Sequence, residues 1–412
     1  MGSQSSSRRH QGMLWGMGLG GFLVNADNRA IAPMLPAMAT TLHVSTSTAA
    51  LLVSAYSIPY GLFQLVYGPI ADRIGKIRTI LIALGLFSVG TVICGVVHTF
   101  AWLLALRFIT GMFAAGIIPT TLAQIGDLFE LAERPRAIAF FMSLTTSGQA
   151  LGIVIGGLLA QFLSYRYLFI LIGLAAIPTL IGLLQRQKRG SSTETSSSAP
   201  TAVAGAGAFW AKYRTLLSKR TSWLIYMLIL FEGFAFYAGF TFLGVYGVSV
   251  IHLSYLTIGL LTATYSGGAF VGSRTFNWVL GKMTTRLMPV LGATLMTAAF
   301  ALDWTWHSTI VLMWSFIVLG LGFSYCHSTL QTYATDLLPS ARATAMSVFA
   351  FSLFTGSGLG PMAAGAVFSG FGWDGLLGSV TAAMGLFALF TTLLIRQPIQ
   401  KVSQTQSSSL QS

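Results

Sequence analysis

The sequence predicts an all-α membrane protein of twelve transmembrane helices, arranged as two pseudo-symmetric six-helix bundles. Three observations carry this. The 412 residues are 54% hydrophobic and only 8% charged, with a mean hydropathy of +0.74, whereas soluble domains carry about 25% charged residues. Apolar runs of about 20 residues, the length a helix needs to cross a bilayer, recur along the chain. A spanning backbone must satisfy its own polar groups, so these runs are helices. Finally, six runs precede a polar break and six follow it, and the second set repeats a motif of the first.

In order, spans 1 to 6 are expected near 13–36, 47–67, 79–98, 101–125, 137–162 and 166–185. This N-terminal bundle, 13–185, follows a short disordered tail, 1–12. Residues 13–24 behind Arg8-Arg9 mimic the core of a leader peptide, but the polar group Asn25, Asp27, Asn28 and Arg29 and the many later spans argue for a retained first span. The connection, 186–221, contains Gly190 to Ala208, a Ser, Thr, Ala and Gly stretch of linker composition. Phe209 to Arg220 then reads as an amphipathic segment on the inner leaflet, with Lys212, Arg214, Lys219 and Arg220 on its polar side. Spans 7 to 12 lie near 222–247, 256–280, 287–303, 308–333, 343–368 and 374–395, a C-terminal bundle (222–395) with a tail, 396–412.

The formal net charge is +13, and its distribution decides what that means. Of 23 Lys and Arg, Arg29, Arg107, Arg166 and Arg274 fall within spans or beside the outer side; the other 19 fall in alternate loops and the tails. This is the positive-inside pattern: it puts both termini in the cytoplasm and makes a nucleic-acid partner unnecessary. Cys94 and Cys326 both lie inside spans and are expected as free thiols; no disulfide framework, metal-ligand spacing or nucleotide-binding Gly-rich loop is present. No cofactor or metal is therefore expected.

The repeat lies in spans 5 and 11. Gly148, Gly152, Gly156 and Gly157 match Gly356, Gly360, Ala364 and Gly365 at an offset of 208. Small residues at spacing four serve close helix packing, so the repeat speaks to architecture and not to chemistry. Upstream, Asp127 and Arg136 echo Asp336 and Arg342.

The most distinctive stretch is the turn between spans 2 and 3, Gly68-Pro69-Ile70-Ala71-Asp72-Arg73-Ile74-Gly75-Lys76-Ile77-Arg78. Asp72 is expected at the start of span 3, where unpaired N–H groups and a positive dipole end suit an anion. Gly68 and Gly75 suit close approach or positive φ. Arg73, Lys76 and Arg78 hold the turn in the cytoplasm. The pattern resembles the motif between helices 2 and 3 of the major facilitator superfamily, and Arg107-Phe-Ile-Thr-Gly111 in span 4 resembles that family's Arg-x-x-x-Gly motif. Span 5 resembles the Gly-rich motif of the family's antiporters, with Ile153 where a Pro is expected; Pro361 supplies the Gly-Pro step in span 11 instead. The resemblance implies a transporter working by alternating access, similar to the twelve-helix drug:proton antiporter branch. It further implies that the Asp at position 72 latches the cytoplasmic gate in the outward-facing state and that the Arg at position 107 takes part in proton transfer.

Charge inside a bilayer is costly and points to function. Of ten acids, two fall inside spans: Asp27 in span 1 and Glu232 in span 7, the first spans of the two halves. Asp27 lies nine residues before Pro36 and Arg107 six after Ala101, roughly 13 and 9 Å at the helical rise. An Asp27–Arg107 pair is thus possible, with Arg29 as competitor; Asn25, Asn28 and Arg29 share one helix face, Asp27 lies off it, and which face meets the cavity stays open. Arg274 in span 8 is expected either to pair with Glu232 or to contact substrate. His327 in span 10 titrates near neutral pH or bonds a neighbouring helix. Phe236, Tyr237 and Tyr325 are aromatic candidates for a cavity lining.

The expected activity is secondary transport of a small organic solute across the cytoplasmic membrane by a monomer, with Asp27, Arg107 and Glu232 as candidates for coupling to protons, since burial favours the neutral form of a carboxyl. The partners are then the solute, protons and the lipid bilayer. The alternatives are a proton-independent facilitator or importer of a small, possibly anionic metabolite, and a non-transporting sensor on the same fold. Enzymatic activity is not expected.

Overall fold

The computed structural model of the chain describes residues 2–191 and 206–394. Spans 1 to 6 are Gly2–Leu42, Thr46–Ile74, Lys76–Val96, Phe100–Leu128, Arg134–Phe162 and Tyr165–Ser191. A connecting helix, Ala206–Leu217, leads to spans 7 to 10: Arg220–Ser249, Tyr255–Lys282, Leu287–Thr305 and Thr309–Asp336. The last helix, Arg342–Leu394, is two spans joined at Gly372, whose φ of 64° breaks the helical course. Span 4 is likewise two pieces, Phe100–Ala114 and Ile118–Leu128; Pro119 cannot donate a backbone hydrogen bond into the preceding turn. Spans 1 and 8 alone fall short of the apolarity of the other ten. Span 1 carries Asn25, Asp27, Asn28 and Arg29, and span 8 carries Thr262, Thr264, Ser266, Arg274 and Thr275.

Two expectations about boundaries change. Residues 1–12, read as a disordered tail, are helical from Gly2 and continuous with span 1, because no proline or cap separates them. Asp72 is not at the start of span 3. It sits in the last turn of span 2, because Gly75, at φ 94°, makes the turn in one residue. Gly68 is helical with open space around its Cα, so it mediates no close approach here. The linker expected at 190–208 lies largely outside the described residues, and so does the tail 396–412.

The membrane-facing surface is legible residue by residue. In span 3, Ile82, Leu86, Val89, Ile93 and Val96 are all exposed and recur at spacings of four and three, one apolar face with no protein against it. The connecting helix buries Tyr213 and Leu216 and exposes Lys212 and Arg214. The Tyr213 hydroxyl donates to the Leu65 carbonyl of span 2 at 3.4 Å.

The internal symmetry extends well beyond the glycine motif. Gly148 lies so close to span 1 that a Cβ would stand 2.2 Å from the Phe22 carbonyl oxygen, and Gly356 meets the Leu230 carbonyl oxygen of span 7 at 2.1 Å; both members of the second pair follow those of the first by 208 residues. Gly152 on Ala26 and Gly360 on Phe234 repeat this at the same offset. Spans 2 and 4 map onto 8 and 10 at 209: Gly111 abuts the Tyr56 carbonyl oxygen as Gly320 abuts that of Tyr265. The N-caps Ser45 and Ser254 accept from the amides of Thr48 and Thr257. Both caps follow a histidine at positive φ, His43 and His252.

The bundles meet through spans 1 and 7, 2 and 11, and 5 and 8. Ser54 Oγ donates to the Gly358 carbonyl at 2.5 Å, Ser369 Oγ to Ser47 Oγ at 2.8 Å, and the Tyr255 amide to Gln161 Oε1 at 3.0 Å. Gly157 packs against the Tyr255 carbonyl and Gly259, and Gly244 against the Ala32 carbonyl. In each pair these residues lie between mid-depth and the face opposite the chain termini. That face is closed by helix-on-helix contact.

Candidate functional site

Asp27 and Arg107 are paired in the interior of the N-terminal bundle. Arg107 Nη1 donates to Asp27 Oδ2 at 2.6 Å, and the two side chains are 1% and 0% exposed. The guanidinium carbon lies 4.1 Å from the centre of the Tyr56 ring and 5.6 Å from that of Phe169, positions that favour a cation over an aromatic face. Gly111 makes this possible. It lets span 4 approach span 2 closely enough to set Arg107 on Tyr56, one turn away.

The pair is under-bonded. Asp27 Oδ1, Arg107 Nε and Nη2, and the Tyr56 hydroxyl are all buried without a hydrogen-bond partner among the described residues. Buried polar groups are nearly always bonded, and a buried ion pair with missing hydrogen bonds adds little stability. An expensive, incompletely bonded pair at this depth has the character of a functional group. It is also unique to its half: Ala235 and Phe316 occupy the positions equivalent to Asp27 and Arg107 at offsets of 208 and 209.

The C-terminal bundle holds a different pair. His327 Nδ1 lies 3.2 Å from Glu232 Oε2, with Glu232 fully buried and His327 20% exposed. Glu232 Oε1 has no hydrogen-bond partner among the described residues. The imidazole stacks on Phe323, with centroids 4.7 Å apart and planes 14° apart. Glu232 thus pairs with His327 and not with Arg274, whose guanidinium instead lies over the exposed Phe270 ring at 5.1 Å. Arg274 is a long cation one helix turn along from an exposed aromatic and is displaced from the central residues.

The open question about span 1 resolves by face. Asp27 turns to span 4. Asn28 and Arg29 turn to the bundle interface, where they border a narrow gap with Ser57, Tyr237, Thr241 and Ser357. Asn25, on the same face, donates to the Thr145 carbonyl of span 5 at 3.0 Å and so braces the bundle. Arg29 Nη2 donates to the Tyr237 hydroxyl, and its guanidinium carbon lies 4.6 Å from that ring's centre.

Two aromatic candidates leave the cavity. Phe236 is fully buried within the C-terminal bundle against Phe240, Tyr265 and Phe323. Tyr325 is buried and shares a hydrogen bond with Thr275 at 2.6 Å, tying span 10 to span 8. Sequence reasoning missed Tyr56, Ser57, Thr241 and Ser357. Small hydroxyls occur in nearly every span, where most bond the carbonyl four residues back, so they give no signal of their own.

At the turn after span 2, Asp72, Arg73 and Arg78 are exposed. Lys76 Nζ pairs with Asp127 Oδ2 at 2.5 Å, tying span 3 to the end of span 4. Among the described residues no ion pair involves Asp72. The free cysteines Cys94 and Cys326 are buried, and no cluster of metal-ligating residues occurs among the described residues.

Two pseudo-symmetric six-helix bundles with charged pairs buried beside their interface define a membrane transport protein. The chain belongs to the Major Facilitator Superfamily, whose profile matches residues 17–353 and 249–410. It is 30% identical over 397 residues, 94% of this chain and 96% of the relative, to the uncharacterized MFS-type transporter YceJ of Bacillus subtilis (strain 168). It is 23% identical to multidrug resistance protein 1 of the same organism, over 86% of this chain and 90% of the relative. Among solved structures, a bacterial homologue of the human lysosomal transporter Spinster, in an inward-facing and unoccupied conformation, superposes with a TM-score of 0.77 at 20% identity, covering 94% of this chain and 97% of that one.

Proposed function

We propose that the chain is a proton-coupled exporter of a small organic solute, acting as a monomer in the cytoplasmic membrane with both termini inside. The orientation rests on the positive-inside distribution of Lys and Arg. With that orientation the contacts of spans 2 with 11 and 5 with 8 close the outer face, the arrangement expected of an inward-facing state. The exposed, unpaired Asp72 fits this state, since the latch implied by the motif is needed only when the cytoplasmic face closes. Similarity to a multidrug resistance protein supports efflux as the direction.

The observation that carries the proposal is the sealed, under-bonded Asp27–Arg107 pair. When the outer contacts part, a proton reaching Asp27 neutralises it and frees Arg107 to swing on the Tyr56 ring. When the inner face reopens, Arg107 recovers its carboxylate partner and expels the proton. Glu232 and His327, with the imidazole partly exposed, form a second exchangeable pair in the other bundle.

The test uses purified protein in liposomes with an imposed pH gradient and two probes, ethidium and benzenesulfonate. Asp27→Asn is expected to abolish acceleration of flux by the gradient, and Glu232→Gln to reduce it. Gradient-driven flux that survives both substitutions unchanged would remove these residues from the coupling. Alternating access has its own test. Cysteines replacing Ser47 and Ser369, whose hydroxyls now touch, are expected to form a disulfide that fixes the outer face shut. Flux should stop on oxidation and return on reduction. Undiminished flux through the cross-linked protein would contradict the rocking of the two bundles.

A further inference from the structure

We infer that Arg29 is an oxyanion-binding residue on the pseudo-twofold axis, and that the transported solute is an organic anion with an apolar or aromatic body. This deepens the proposed function, resting on the reading of the gap between the bundles as the solute site.

The position follows from the symmetry. Arg29 and Tyr237 are 208 residues apart, the offset that carries Phe22 onto Leu230 and Ala26 onto Phe234. They therefore occupy equivalent places in the two halves. Residues at equivalent places can touch only at the symmetry axis, as in a twofold interface. The Arg29–Tyr237 hydrogen bond marks the centre of the molecule, where a solute must pass whichever bundle moves.

The charge follows from the ion pairs. Asp27 is taken by Arg107 and Glu232 by His327, and Arg29 belongs to no ion pair among the described residues. At the axis, Arg29 therefore presents a positive charge that no carboxylate among the described residues contacts. A guanidinium has five N–H donors in a planar fork, and Arg29 spends one on Tyr237. The remaining donors suit bidentate binding of a carboxylate or sulfonate, the geometry in which Arg is strongest. Asn28, Ser57, Thr241 and Ser357 add short polar groups around it, while Phe240 and Phe354 form apolar walls. Phe354 packs against Tyr60 with centroids 4.3 Å apart and planes tilted by 53°, so aromatic surface continues behind the wall on that side.

The experiment measures equilibrium binding to the full-length protein in detergent, without a pH gradient, using three matched probes: benzenesulfonate, the neutral benzenesulfonamide and the cation benzyltrimethylammonium. Benzenesulfonate is expected to raise the melting temperature, and the other two are not. Arg29→Gln should weaken benzenesulfonate binding by about ten- to a hundredfold, the worth of a hydrogen bond to a charged group. Arg29→Lys keeps the charge but loses the fork and should fall between, which keeps the test decisive if the glutamine variant does not fold. Equal benzenesulfonate affinity in both variants, a preference for the cation, or no binding of the anion by wild type would each overturn the assignment. A binding site that survives while gradient-driven flux fails refutes the coupling alone; the reverse outcome refutes the anion site alone.

Discussion

Arg107→Ala is expected to destabilise the protein by about 3–5 kcal/mol, the usual cost of stranding a buried charge. Arg107 is the largest fully buried side chain among the described residues. Its removal leaves Asp27 wholly buried with neither oxygen bonded, since Oδ1 already lacks a partner. It also strips the cation from the faces of Tyr56 and Phe169. The diagnostic measurement is the double variant. Asp27→Asn removes the stranded charge, so Arg107→Ala with Asp27→Asn should recover most of the lost thermal stability while remaining inactive in gradient-driven flux. That pattern of coupled stability and uncoupled activity is what a double-mutant cycle resolves. If the double variant melts as low as the single one, the damage comes from the cavity left by the arginine, and the ion pair is not what holds Asp27 in place.

How far this pair was legible is a matter of burial physics. Two acids and few bases inside apolar spans stand out against a bilayer-crossing sequence, and the helical rise alone put Asp27 and Arg107 within a turn of each other in depth. Rotation about the helix axis is what the sequence lacks. Asn25, Asn28 and Arg29 share a face by spacing, yet that face splits its duties: Asn25 bonds span 5, and Arg29 reaches span 7. Glu232 was legible as a buried acid but not its partner, because His327 and Arg274 are both plausible bases by depth, and only helix packing shows that span 10, not span 8, offers its base to span 7. Asp72 was assigned to the wrong helix end because a polar motif between apolar runs reads as a loop, whereas one glycine at positive φ suffices for the turn. The glycine repeat was read for packing, and that is its use: each copy lays one helix backbone on another at equivalent places in the two bundles.

Gly111→Val is expected to abolish folded protein, and Gly320→Val to do the same through the other half. A Cβ at Gly111 would stand 2.3 Å from the Tyr56 carbonyl oxygen and 2.9 Å from its Cα; at Gly320 it would stand 2.0 Å from the Tyr265 carbonyl oxygen. These contacts are backbone against backbone, so no side chain can turn aside and the helices themselves must separate. Overpacking a core commonly costs about 1–3 kcal/mol; separating two spans along their length exceeds that, because it loosens every contact of span 2 with span 4. The control is Gly68→Ala, where nothing lies within 4 Å and the gain in helix propensity is about 1 kcal/mol; that variant should melt at or above wild type. Yield of monodisperse protein and melting temperature read the series. Wild-type values for Gly111→Val would mean that the close approach of spans 2 and 4 is dispensable. Gly111→Ala gives the finer reading. It adds the same Cβ without valine's two methyls, so spans 2 and 4 must still part, though by less; because Tyr56 is the surface on which Arg107 lies, it should lower the melting temperature and gradient-driven flux together, with a higher yield than Gly111→Val. A residue with no side chain thereby sets the position of Arg107, the cation on which the proposed coupling rests.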